Sequence, residues 1–221
     1  MTTTAVAANF LSTQLSFTAE DGSEQTFEDL PVPGIGDAGR KSLSEGNEDL
    51  GFEGGITNAA QVVGWYMRVN GDDEEMRKLL VDKCGCHGPS VSKEGAGTLA
   101  TLKEKCSGFI METVDEAAAP ADVAAGTTKV FAGFMSKQLS WDDTWESNPV
   151  PGVGPKGQEK LREADGITNA AMLLGQFMLL NGDEDEFVEY LLECDLRKQE
   201  ITKDYGILHA VREKIAPFCA P

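Results

Sequence analysis

The chain carries an internal duplication, and this duplication constrains its fold more than any other feature of the sequence. Pro31-Val-Pro-Gly-Ile-Gly36 returns as Pro149-Val-Pro-Gly-Val-Gly154, at an offset of 118 residues. Gly55-Ile-Thr-Asn-Ala-Ala60 returns as Gly166-Ile-Thr-Asn-Ala-Ala171, at an offset of 111. Because units of about 100 residues are a normal domain size, we predict two tandem small domains. Residues 1–111 form the first copy and residues 129–221 the second copy.

The segment between the copies and the change in offset indicate two irregular regions. Residues 112–128 are rich in Ala, Gly, Asp and Glu, so we predict a flexible linker there. A flexible chain of this length spans roughly 20–25 Å, which lets two small domains fold side by side. The lower offset after the first motif predicts an insertion in the first copy between Ser44 and Gly54.

Hydrophobic periodicity predicts helices in both copies and no competing strand pattern. In the second copy an apolar run ends at Asn181-Gly182, and Asp183 with Glu186 then forms the start signal of a new helix. The first copy repeats this signal. We therefore predict an all-α fold of about four or five helices per copy, with helices over 57–69, 73–84 and 98–110 in the first copy and over 168–180, 184–194 and 207–218 in the second.

Each repeated glycine motif precedes a helical segment, which is typical of a helix-hairpin-helix turn. The glycines let the backbone turn sharply, and the apolar residue between them anchors the turn in the core. Unpaired amides at the start of the next helix can then hold a phosphate. The candidate phosphate-binding residues are Gly34, Ile35, Gly36, Arg40 and Lys41 in the first copy and Gly152, Val153, Gly154, Lys156 and Lys160 in the second.

The charge of the chain excludes a general attraction to nucleic acid or to anionic lipid. Asp and Glu number 37 against 19 Lys and Arg, which gives a formal net charge of -18. The hairpin segments 31–45 and 149–163 carry local charges of zero and +1. Since duplex affinity comes largely from counterion release by Lys and Arg, we expect any contact with double-stranded DNA to be weak and lost as salt rises.

Other residue types give no sign of catalysis, of a metal site or of a cofactor. Five cysteines are an odd number without a disulfide framework, which predicts reduced, packed thiols and an intracellular protein of the nucleus or cytoplasm. Cys84-Gly-Cys86-His87 lacks a second ligand pair, so we predict no metal site. Two histidines and the lack of a catalytic motif predict that the chain is not an enzyme. The sequence contains no apolar run long enough for a membrane span, so we predict no membrane insertion. We expect Thr2 to Thr4 to lie in a disordered tail.

Taken together, these motifs resemble the barrier-to-autointegration factor family. The second copy resembles it through Gly152-Val-Gly154, Ala171-Met-Leu-Leu-Gly-Gln-Phe-Met-Leu-Leu180 and Asp183-Glu-Asp-Glu-Phe187, and the first copy through Gly34-Ile-Gly36 and Gly39-Arg-Lys-Ser-Leu43. The resemblance implies a compact helical fold, sequence-independent binding of duplex DNA through the hairpin, dimerisation, and a groove for LEM-domain partners. The second copy departs from the family's paired lysines, because Gln158 and Glu159 precede Lys160.

Two functions remain open at the level of sequence. The first is a DNA-bridging protein of chromatin or nuclear-envelope type that contacts phosphates through both hairpins. The second is an acidic adaptor that kept the fold for protein-protein contact and lost useful DNA affinity. The tandem copies also predict either a monomeric pseudo-dimer, formed by pairing within one chain, or a homodimer.

Overall fold

In a computed structural model, which describes residues 3–19, 22–45, 55–111 and 129–220, the chain is mainly α-helical, and the predicted all-α class is confirmed. The predicted linker and most of the predicted insertion lie outside the described residues. The helices of the first copy are α1 (Thr3–Ser12), α2 (Asp37–Ser44), α3 (Ala59–Arg68), α4 (Asp73–Lys78), α5 (Gly88–Val91) and α6 (Thr98–Ser107). Those of the second copy are α7 (Lys129–Ser136), α8 (Pro155–Asp165), α9 (Ala170–Leu179), α10 (Glu184–Glu193), α11 (Lys198–Thr202) and α12 (Ile207–Ile215).

Side-chain caps set the starts of the central helices. The side chains of Asn58 and Asn169 accept hydrogen bonds from backbone amides in the first turns of α3 and α9, so both helices begin two residues later than predicted. Asp183 caps α10 through the Glu186 amide, as the start signal predicts. The predicted helix over 73–84 is regular only to Lys78, because a π-helical turn over Leu79–Lys83 follows it.

Several short elements lie outside the predicted set. Thr3 and Thr4 begin α1, so the predicted disordered tail is wrong for these two residues, while Thr2 lies outside the described part. Four strands of two residues each form two parallel pairs, which are too short to produce an alternating sequence pattern. They are β1 (Leu15–Ser16) with β4 (Cys219–Ala220), and β2 (Ile110–Met111) with β3 (Leu139–Ser140).

Both strand pairs join one copy to the other. The first strand of the first copy pairs with the last strand of the second, and the last strand of the first copy pairs with the first strand of the second. The buried apolar residues of both copies also form one continuous cluster. The two copies are therefore packed together over a shared core.

Helices α3 and α9 cross at the centre of this core. All of α9 is buried, and α3 is buried over every residue except Arg68. Trp65 and Tyr66 lie in this core, with 3% and 1% of their surface exposed. Because α3 and α9 correspond to each other in the repeat, the central contact of the molecule joins two equivalent helices.

Polar contacts around this crossing occur in reciprocal pairs. Asn58 Nδ2 donates to Asn181 Oδ1 at 2.7 Å, and Asn169 Nδ2 donates to Asn70 Oδ1 at 2.8 Å. In the repeat, Asn58 corresponds to Asn169 and Asn70 to Asn181. A contact in which each partner's residues exchange roles is the pattern of a two-fold symmetric interface.

Two lysines, the half-buried Lys105 and the buried Lys214, hold the first helix of each copy in equivalent ways. Lys105 on α6 donates to three backbone carbonyls at the end of α1, and Lys214 on α12 does the same at the end of α7. Each ammonium group also lies over a phenylalanine ring, Phe10 or Phe134. Burial lowers the pKa of both lysines, that of Lys214 to about 8. The sequence did not distinguish these lysines from surface cations.

The cysteines are packed as predicted. All five are free thiols and all five are buried. Burial raises the pKa of each thiol, to about 12 for Cys84 and about 11 for Cys86. At neutral pH they are therefore protonated apolar groups of the core.

Candidate nucleic-acid interface

The first hairpin turns against the start of α6. Gly34 has φ +80°, and a Cβ placed on it would lie 2.5 Å from Thr98 Oγ1 and 2.6 Å from the Ser90 carbonyl oxygen. Thr98 Oγ1 donates to the Pro33 carbonyl at 2.7 Å, and Ile35 is only 2% exposed. A left-handed backbone with no room for a side chain requires glycine, which explains the first glycine of the motif.

The second hairpin has the same construction on different partners. Gly152 has φ +87°, and a Cβ there would lie 2.6 Å from the Glu200 carbonyl oxygen and 2.8 Å from Ile207 Cγ1. Val153 anchors the turn with 5% exposure. Both hairpins are thus fixed by close packing on a later helical segment of their own copy.

The second glycine of each motif faces solvent. Gly36 is the N-cap of α2 and Gly154 is the N-cap of α8, and both are exposed. Apart from the glycine and its two chain neighbours, no atom lies within 4 Å of a Cβ placed on either residue. Neither cap makes a side-chain hydrogen bond, so amides in the first turns of both helices are left for an external acceptor. The second helix offers one amide fewer, because its first residue, Pro155, has no N–H.

Charge next to the first hairpin is unfavourable to an anion. Asp37 is the first residue of α2, and its side chain is fully exposed. Arg40 Nη1 lies 3.9 Å from Asp37 Oδ1, and Arg40 Nε donates to the Ile35 carbonyl at 3.3 Å. Lys41 Nζ lies 3.6 Å from Glu45 Oε1. The two predicted phosphate-binding cations of the first copy therefore already have partners.

Charge next to the second hairpin is more favourable. The first turn of α8 contains no acidic residue, and Lys156 in that turn is exposed. Lys160 is already paired, since its Nζ lies 2.6 Å from Asp195 Oδ2. This ion pair holds the pKa of Asp195 below its usual value. Of the predicted cations, Lys156 is the one that the structure leaves facing solvent beside exposed amides.

A groove of about 1330 Å³ runs between the copies along α3 and α9. Its lining includes Trp65 and Gln176, and carboxylates such as Glu186 and Glu189 stand along it. Arg68 crosses the groove, where its Nη2 lies 2.8 Å from Asp165 Oδ2 and its Nε donates to Gln176 Oε1 at 3.2 Å. The sequence motifs gave no signal for Arg68, because its partners are about 100 residues away in the chain.

Metal sites and membrane spans are both absent from residues 3–19, 22–45, 55–111 and 129–220. No group of three or more His, Cys, Asp or Glu side chains there could hold a metal ion. No helix within those ranges is long and apolar enough to cross a membrane.

The geometry defines helical units, each with an exposed glycine at the start of a helix. The residues before each hairpin, 27–29 and 145–147, form a turn, so no helix directly precedes either hairpin. Residues 127–214 match a family model described as barrier to autointegration factor, so the second copy is similar to this family, as its motifs predict. At the level of the family, the similarity points to DNA binding of chromatin type by a non-enzymatic protein. No curated protein and no solved structure matches the chain. The resemblance of the first copy to the same family stays a prediction.

Proposed function

We propose that the chain is a non-enzymatic protein that binds double-stranded DNA without reading its sequence, inside the cell in the nucleus or cytoplasm. Phosphates are held by glycine amides at the two hairpins, at Gly34 and Gly36 and at Gly152 and Gly154. The amides of Ile35 and Val153 already donate to backbone carbonyls within the hairpins. The observation that carries this proposal is that α2 and α8 both begin at an exposed glycine with open space outside it. Such a helix start favours an anion through its amides and its dipole.

In this proposal the two copies pair within one chain and form a pseudo-dimer. The reciprocal asparagine contacts and the two strand pairs that join the copies support this arrangement. Each chain then carries two hairpins without needing a second chain. The difference in local charge makes the second hairpin, with Lys156, the stronger contact, and the first hairpin, with Asp37, the weaker one.

The test is a titration of the full chain with a random duplex of about 30 base pairs, followed by fluorescence anisotropy at about 50 mM and about 150 mM salt. We expect binding at low salt that weakens strongly at high salt. Lys156→Glu weakens this binding, because it places an anion at the second hairpin. Lys129→Glu is the matched control, since Lys129 is an exposed cation at the start of α7 and makes the same change in net charge.

Two results would overturn the proposal. The first is no binding at low salt. The second is an equal loss of affinity in Lys156→Glu and Lys129→Glu, because this would show that only net charge matters and not the position of the cation.

The acidic adaptor is the second candidate function, and the groove between the copies favours it. The groove is large enough for a helical segment of a partner, and carboxylates stand along it. In this alternative the partner is a LEM-like or other helical protein that docks in the groove between the copies. Calorimetric titration with a purified LEM domain, repeated on Arg68→Ala, tests it. Binding of this domain together with no DNA binding at low salt would make the adaptor the better description.

A further inference from the structure

A second cavity, separate from both hairpins, lies where the amino-terminal segment of the first copy crosses the second copy. Its volume is about 470 Å³, within the range of small ligand pockets. Its apolar lining includes Phe17 from the first copy and Phe177, Leu180 and Ile215 from the second. It adjoins the groove between the copies at Leu180, but it opens over α12.

One wall of this cavity has no counterpart in the repeat. Phe17 corresponds to Trp141 at an offset of 124, whereas Pro31 corresponds to Pro149 at an offset of 118, so the first copy has six additional residues between these points. Within this region, Thr18 and Glu24 form an antiparallel bridge, and both residues line the cavity. The repeat therefore does not supply the same wall on the other side of the molecule.

The equivalent position on the other side shows what size of group fits here. Trp141 packs on Gly71, where a Cβ would lie 2.9 Å from the indole, and its ring meets Tyr66 edge-on with centroids 5.7 Å apart. Phe17 packs on Gly182 in the same way and meets Phe177 edge-on at 6.1 Å. Phe17 therefore has a smaller ring than its counterpart Trp141, and the cavity lies beside Phe17. A bicyclic aromatic group has the size and the edge-to-face geometry that this environment favours.

Carboxylates surround the mouth of the cavity. Glu24, Glu184, Glu186 and Glu213 all line it. Arg212 lies there too, but its Nη1 is 3.2 Å from Glu184 Oε1 and its Nη2 is 3.6 Å from Glu213 Oε1. The acidic groups therefore outnumber the single guanidinium at the mouth, and the local charge favours a cation.

We propose that this cavity binds a peptide segment of a partner protein, which inserts a tryptophan side chain between Phe17 and Ile215 and places a Lys or Arg on each side of it against the carboxylates. The aromatic group is buried in an apolar site, and the flanking charges determine specificity and the rate of association. The site is independent of the DNA contacts proposed for the hairpins, because none of the hairpin glycines lines the cavity.

The test uses the full chain and the capped tripeptide acetyl-Lys-Trp-Lys-amide, with binding measured by calorimetry. The same peptide with alanine in place of tryptophan, and the peptide with glutamates in place of lysines, are the ligand controls. We expect the first peptide to bind and both controls to lose about tenfold or more in affinity, which corresponds to about 1.4 kcal/mol.

Two matched variants locate the binding on the protein. Ala216→Phe fills the mouth of the cavity from an exposed position at the end of α12. Ser107→Phe is the control, because Ser107 is the corresponding exposed residue at the end of α6 in the first copy and does not line the cavity. Thermal unfolding of both variants shows that they are folded. Loss of peptide binding in Ala216→Phe alone supports the proposal. Unchanged binding in Ala216→Phe, equal binding of the lysine and glutamate peptides, or no binding by the wild-type chain would overturn it.

Discussion

Gly64 on α3 and Gly175 on α9 face each other where the two helices cross. A Cβ placed on Gly64 would lie 2.9 Å from the Gly175 carbonyl oxygen, and a Cβ placed on Gly175 would lie 2.6 Å from the Gly64 carbonyl oxygen. The two residues correspond to each other in the repeat. The backbones of equivalent helices therefore touch at one point, and glycine on both sides allows this approach.

Gly64→Ala should destabilise the chain by about 1–3 kcal/mol, because the added methyl group meets backbone and Met178 Cβ in a packed core. Gly133→Ala is the control. Gly133 lies inside α7, and outside the backbone of that helix no atom lies within 4 Å of an added Cβ, so the same substitution should stabilise the chain by about 0.5–1 kcal/mol. Urea unfolding measures both. Equal effects at the two positions would contradict the close crossing.

The chain should be a monomer of 23.7 kDa in solution. The helix that would pair with a second chain is already paired within the chain, where the effective concentration of the partner copy reaches about the millimolar range. Light scattering coupled to size-exclusion chromatography measures the mass. A stable species of twice this mass at low protein concentration would show that the interface between the copies is also used between chains.

Asp37→Lys should strengthen the binding of duplex DNA at low salt and increase its salt dependence. The substitution removes an exposed anion from the first turn of α2 and places a cation beside Gly36. Each additional phosphate contact steepens the logarithmic dependence on salt by about one unit. Asp204→Lys, an exposed change of the same charge between α11 and α12, is the control, and an identical gain in both variants would contradict a contact at the first hairpin.

The free energy of unfolding should fall as the pH rises above about 9. Burial raises the pKa of the Cys86 thiol from its ordinary value of 9.0 to about 11 in the folded chain. Because the folded state then keeps a proton that the unfolded state has lost, the stabilisation is complete below pH 9 and is lost as the pH rises toward about 11. Each such thiol contributes a slope of up to about 1.4 kcal/mol per pH unit in this window.

Cys86→Ser and Cys86→Ala test this dependence in the presence of a thiol reductant. The two variants should differ in absolute stability, but both should show a shallower alkaline slope than the wild-type chain. Lys214 has a lowered pKa, so its contribution makes the free energy of unfolding rise with pH from about pH 8. This contribution is the same in all three proteins. A slope that does not change in either variant would contradict the proposed role of the buried thiol.

The sequence predicted the helices of this fold well where a cap or a stop is encoded locally. Asp183 and the Asn181-Gly182 turn gave the bounds of α9 and α10 to within two residues, because these signals act over one helical turn. The π-helical turn after Lys78 was not predictable in this way, since the periodicity of α4 continues through it. The two-residue strands are fixed by contacts between the copies and leave no local pattern.

The candidate site was predicted in part. The exposed glycines Gly36 and Gly154 stand where the motif indicates, since the turn is encoded by the glycines themselves. The ion pair between Lys160 and Asp195 was not predictable. The two residues are 35 positions apart in the chain, and only the packing of α8 against the end of α10 brings them together. Long-range pairing of charges determines which cations remain for a ligand.

The two strand pairs that join the copies hold the two halves of the chain together. Met111 is paired with Ser140, and Ser16 with Ala220, so each half of the chain is hydrogen-bonded to the other at two separate strand pairs. Association of the halves is thus built into noncovalent contacts and does not depend on an intact peptide bond between them. A chain cleaved once between residues 112 and 128 would remain a folded two-fragment complex, and a circular permutant opened there and joined at its original ends would keep the same architecture.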